Sequence, residues 1–179
     1  MSSIFIIAFL KTNFGLQIKL SLYVKIFFIY RNMENNANDS KSTDIFEASA
    51  NGDLKTVQYL VNKRKVGVNS KQKTGSTALM QACANGRVNV MKFLLEKGAN
   101  INQTDKWGYN ALLWALARHV SFDIVEYLVE HKASMKIKDK LNGYSPLHWA
   151  VHYGDLKLVK YLTEKGARIN ERTNKGETP

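Results

Sequence analysis

His148 and His152 stand four residues apart, a spacing that on a helix presents two imidazoles to one metal ion. The residues between them, Trp149, Ala150 and Val151, include no glutamate to serve a zinc peptidase as its base, and no third ligand is apparent. Cys83, the single cysteine, would act as a nucleophile only beside a histidine that the pattern does not supply. It occupies a small-residue helix position that suits a packed thiol. No Gly-rich phosphate loop, serine elbow or plausible carboxylate pair is present. The sequence therefore gives no catalytic residues, no metal site and no cofactor, and the chain reads as non-enzymatic, acting through its surface.

Positioning such a surface takes a folded scaffold, and the composition supplies one. The chain has 179 residues, 45% hydrophobic and 23% charged, which suits one globular domain or at most two. One cysteine forbids an intramolecular disulfide, so a reducing, cytoplasmic location is expected, with nuclear or membrane-associated placement as alternatives. Two prolines, Pro146 and Pro179, leave long stretches free to be helical. Lys and Arg number 26 against 15 Asp and Glu, giving a net charge of +11 that favours acidic partners, nucleic acid or an anionic membrane.

Residues 1–32 differ from the rest, with Lys11, Lys19, Lys25 and Arg31 and no acid. The apolar run Ile4–Leu10 precedes the first lysine, the wrong order for a secretory signal. Three lysines disfavour a spanning helix, each costing roughly 2.5–3.5 kcal/mol near the bilayer centre. Three readings stay open: an upstream extension with Met33 as the better start, a membrane or interfacial segment that would tether the protein, and a targeting sequence. Residues 33–41 read as a disordered polar linker.

Beyond this linker the chain repeats itself. Gly75–Gly86 (GSTALMQACANG) aligns without a gap on Gly143–Gly154 (GYSPLHWAVHYG), and Gly108–His119 (GYNALLWALARH) fits the same frame. Thr43, Thr77, Asn110, Ser145 and Thr178 recur at spacings of 34, 33, 35 and 33. Val90–Asn102 (VMKFLLEKGANIN) and Leu158–Asn170 (LVKYLTEKGARIN) are near copies. This period, with Ser145-Pro146-Leu147-His148-Trp149-Ala150 close to T-P-L-H-x-A, resembles the ankyrin repeat family. The resemblance implies an all-α ankyrin-repeat solenoid of helix-turn-helix units with hairpin-like fingers. It covers residues 42–179, as repeats 42–73, 74–106, 107–141 and 142–174 and a stub of a fifth at 175–179.

Physical chemistry supports these units. Ser145 can cap a helix with Pro146 at its first position, and the small Ala48, Ala82, Ala115 and Ala150 let neighbouring helices approach. Glycines 52, 86 and 154 suit the left-handed ends of first helices, and glycines 75, 108, 143 and 176 suit the finger turns. Repeat three has His119 and Lys132 at glycine positions and two extra residues, so it is expected to be the least regular unit. Repeat one is polar, like an N-terminal cap. The chain is also expected to be an incomplete solenoid that leaves Leu147, Val151, Leu158, Val159 and Leu162 uncovered.

The resemblance implies that a protein partner docks on finger tips and exposed positions of the first helices. Those positions are Lys73, Lys106, Trp107, Tyr109, Leu141 and Tyr144 on fingers, with Thr74, Ser76 and Asn142 beside them. Arg118, His152 and Tyr153, with Asn85, contribute from the helices. The aromatics stand where core packing does not require them and can serve as anchors. Lys71, Lys73, Lys106, Lys138, Lys140 and Lys175 outnumber Asp105 and Asp139 along the fingers, so the expected partner surface is acidic. Nucleic acid is the less favoured partner, and a membrane enters only through residues 1–32.

Overall fold

The computed structural model describes residues 44–179. The readings of residues 1–32 as start, membrane or targeting segment, and of 33–41 as linker, lie outside the described residues. Within them, eight helices form four pairs. They are α1 (Ile45–Asn51) with α2 (Leu54–Asn62), α3 (Ala78–Ala84) with α4 (Val88–Glu96), α5 (Ala111–Ala117) with α6 (Phe122–Glu130), and α7 (Pro146–His152) with α8 (Leu156–Glu164). The only extended pairing among the described residues is the isolated antiparallel bridge of Lys71 with Thr77.

Each first helix starts where a short polar side chain can hold an orphan amide. Thr77 Oγ1 accepts from Met80 N at 3.3 Å, Asn110 Oδ1 from Leu113 N at 2.9 Å, and Ser145 Oγ from His148 N at 3.5 Å. In the first repeat the cap is Asp44, whose Oδ1 accepts from Glu47 N at 2.7 Å. This corrects the expected frame, which placed that position at Thr43, because α1 reaches its closing glycine, Gly52, one residue sooner than α3 or α7.

First helices of seven residues are too short to persist alone and depend on stacking. α1 packs on α3, α3 on α5 and α5 on α7, and each also packs on its own second helix. Ala48, Ala82, Ala115 and Ala150 are buried at these crossings, and every residue of α5 is buried. The second helices cover one side. α4 and α6 each bury four residues, whereas α2 buries only Val57 and α8 only Leu158 and Leu162. In the fourth unit the five residues expected to be uncovered divide. Leu147, Leu158 and Leu162 are buried, Val159 is half-buried and Val151 is exposed.

The irregular turns also lie where the repeat pattern breaks. Among the described residues three non-glycines have positive φ: Lys65 (57°) in the first unit, and His119 (49°) and Lys132 (66°) in the third. Each left-handed L-residue costs roughly 1–2 kcal/mol.

Fingers connect the pairs. Gly143 (φ 75°) shows why its turn excludes a side chain, since a Cβ there would lie 2.6 Å from Asn174 Oδ1 and 2.8 Å from Asn174 N. Successive tips touch through main chain: Lys106 N donates to Thr74 O (3.1 Å), Lys140 N to Trp107 O (2.8 Å) and Asn174 N to Asn142 O (2.8 Å).

Candidate functional site

The two finger aspartates point inward, so a count of charges misjudges the surface. Asp105 Oδ1 accepts from Trp107 N (2.9 Å) and Tyr109 N (3.0 Å), and Oδ2 from Trp114 Nε1 (3.1 Å). Asp139 Oδ1 accepts from Leu141 N (3.0 Å) and Asn142 N (2.7 Å), and Oδ2 from Tyr144 N (2.8 Å). Both carboxylates are buried, stabilised by the amides of the turns they close. Thr173 Oγ1 takes the equivalent place in the last finger, accepting from Lys175 N (3.2 Å) and Glu177 N (3.1 Å).

Two of the six finger lysines are also structural. Lys71 Nζ donates to Thr104 O at 3.3 Å, and Lys138 Nζ reaches Arg172 O at 2.9 Å and Glu171 at 3.6 Å, so both join neighbouring fingers. Lys73, Lys106, Lys140 and Lys175 remain exposed.

The aromatics divide in the same way. Tyr109 is only 5% exposed and packs on Trp114 with ring centroids 5.8 Å apart, so it belongs to the core and leaves the candidate face. Ser76 is fully buried too, its Oγ accepting from Gln81 Nε2 at 3.1 Å. Trp107, Thr74 and Asn142 are half-buried, and their carbonyls accept the tip-to-tip bonds. Leu141 is exposed at 45%, and Arg118 is exposed. Asn85 is half-buried at the end of α3, its Nδ2 donating to Gln81 O at 2.8 Å.

Tyr144, His152 and Tyr153 come together around a residue that sequence reasoning overlooked, Trp149. Tyr144 meets its indole edge-on at 5.4 Å, His152 at 5.9 Å, and Tyr153 stacks at 6.2 Å. Tyr153 also stacks on His119 at 4.4 Å and donates from its hydroxyl to Ala117 O at 2.8 Å, tying the fourth unit to the third. Burial pushes the Tyr144 and Tyr153 phenols above their ordinary pKa. Glu177 and Asp139 add to the rise at Tyr144, and Arg118 opposes it at Tyr153. Burial also holds the His152 imidazole below its ordinary value. The signal for Trp149 was present in its shared frame with Trp114, four residues after the cap in each repeat.

A family model for ankyrin repeats matches the chain in three overlapping copies, at residues 21–105, 45–139 and 101–173. The chain belongs to the ankyrin repeat family. Ankyrin repeats are in general protein–protein interaction modules. A comparison with curated proteins finds no match.

In this ankyrin unit His148 is a structural residue. Its Nδ1 lies 2.7 Å from Ser145 Oγ and accepts from Ser145 N at 3.2 Å, closing the start of its own helix, while Nε2 lies 3.2 Å from Glu177 O. Both nitrogens are therefore engaged within the protein. Among the described residues no three His, Cys, Asp or Glu side chains gather as a metal site. Cys83 is fully buried in α3, and burial pushes its thiol far above the ordinary range, which leaves it without thiolate at neutral pH.

Proposed function

We propose that the chain is a non-enzymatic ankyrin adaptor that holds an acidic protein partner on its finger tips and the adjoining ends of its first helices. The recognition residues are Lys73, Lys106, Trp107, Arg118, Leu141, Tyr144, His152 and Tyr153. The inward turn of Asp105 and Asp139 carries this reading, because it removes the acids from the tips and leaves the lysines beside exposed Leu141 and half-buried Trp107. A positive rim speeds encounter with an acidic surface, and a few apolar anchors supply affinity. A buried free thiol at Cys83 suits a reducing, cytoplasmic setting.

The test is capture of partners by the full chain and by a Trp107→Ala, Leu141→Ala variant, with mass spectrometric identification. Partners that bind the natural chain should be lost from the variant and kept by a Lys160→Glu control on α8. Undiminished capture by the finger variant would place the binding surface elsewhere.

A further inference from the structure

Several other lysines have partners. Lys165 pairs with Glu130 at 2.6 Å, Lys138 with Glu171 at 3.6 Å, Lys157 lies 3.7 Å from the centre of the Phe122 ring and Lys92 5.3 Å from that of Tyr127. The tip lysines contrast with these. Lys73, Lys106 and Lys140 each directly follow the residue that closes the finger turn, Gln72, Asp105 or Asp139. All three are exposed, and among the described residues no carboxylate forms an ion pair with them.

Their spacing is set by the stack. Packed helices lie about 8–10 Å apart, so equivalent residues of successive repeats recur at about that distance. The main-chain bonds from Lys106 N to Thr74 O and from Lys140 N to Trp107 O hold the tips in single file. Three residues of a peptide in the extended polyproline II conformation make one turn and rise about 9 Å, at 3.1 Å per residue. A peptide in that conformation with a carboxylate at every third position keeps its acids on one face and therefore offers one acid per finger.

Nucleic acid fits less well. A strand rising about 3.4 Å per nucleotide would leave about two of every three phosphates without a lysine, and no arginine stands at these positions to grip phosphate with two bonds.

We infer that the finger row is a ruler for an extended acidic peptide, with Lys73, Lys106 and Lys140 each taking one carboxylate at every third residue. This rests on the reading of the fingers as the binding face and adds the partner's conformation and charge register.

The experiment measures fluorescence anisotropy of the full chain with three probes. One peptide carries glutamate at every third position among serines and alanines, a second has the same composition with its glutamates contiguous, and the third probe is an oligothymidylate of equal charge. The spaced peptide should bind roughly tenfold tighter than the clustered one. A Lys73→Glu, Lys106→Glu, Lys140→Glu variant should remove that binding, whereas a charge-matched Lys55→Glu, Lys63→Glu, Lys160→Glu variant should keep most of it. Circular dichroism would establish that both variants fold. Equal binding of the two peptides, equal loss in the two variants, tighter binding of the oligonucleotide, or no peptide binding would each overturn the ruler. If the ruler fails while captured proteins still depend on Trp107 and Leu141, the adaptor reading stands without it; if both fail, the fingers are not the binding face.

Discussion

The fingers that open repeats three and four use the same parts with different results. Asp105 and Asp139 each close a turn, Gly108 and Gly143 each take positive φ, a tyrosine follows each glycine, and Trp114 and Trp149 occupy the same helix position. Repeat four has one more residue between aspartate and tyrosine. In the shorter finger Asp105 collects two amides and the Trp114 indole. In the longer one Asp139 spends its capacity on three amides, and Trp149 Nε1 stays buried without a protein partner. Tyr109 sinks against Trp114, whereas Tyr144 stays half-buried over His148 and Trp149. One inserted residue thus redirects a buried carboxylate and turns a core tyrosine position into a surface one.

The tyrosines offer the largest test of this difference. Tyr109→Ala should cost about 3–5 kcal/mol, as for a buried aromatic, and Tyr144→Ala about 1–2 kcal/mol for its partial burial. Urea denaturation measures both, and equal losses would mean that the two fingers are packed alike.

Next come the tryptophans. Trp114→Phe and Trp149→Phe remove the same ring volume, but only the first breaks a hydrogen bond and strips a buried carboxylate of a donor. The Trp114 variant should be less stable than the Trp149 variant by about 1–3 kcal/mol. A difference near zero would show that the Asp105 bond contributes nothing net.

The turn after the outer helix sharpens the contrast further. Repeat three ends α6 with Lys132 at φ 66°, where repeat four has Gly166 at φ 90°. Lys132→Gly should stabilise the chain by about 1 kcal/mol in thermal melts, because the left-handed turn no longer strains a Cβ. An unchanged melting temperature would show that the turn is unstrained.

The smallest effect concerns acid. His152 of repeat four stands where repeat three has Ala117, and burial keeps its folded pKa below that of the unfolded chain. The unfolded state then binds the proton more readily, so this contribution is whole above about pH 6.5, the unfolded histidine value, and fades as pH falls through the folded one. Replacing His152 with Ala should flatten the decline in stability on acidification. An identical pH profile in the variant would remove His152 as its source.

Much of the scaffold was legible because it depends on local chemistry. Thr77, Asn110 and Ser145 cap as their types suggest, the finger glycines sit at positive φ, and the extra residues of repeat three fall where alignment put them. What escaped was direction. Asp105 and Asp139 count as surface charges in a sequence, yet backbone amides draw them in. Tyr109 and Tyr144 share a frame, and only the neighbouring carboxylate geometry tells which is core. Asp44 replaced the expected Thr43 because a polar neighbour can cap equally well one residue along.

The bonds from Lys106 N to Thr74 O and from Lys140 N to Trp107 O use main-chain atoms alone. Any residue except proline can therefore stand at positions 106 and 140 without losing them, since proline alone lacks the amide hydrogen. The display positions are written in an alphabet of nineteen letters that the scaffold does not read, so partner choice can be rewritten while the architecture is inherited unchanged.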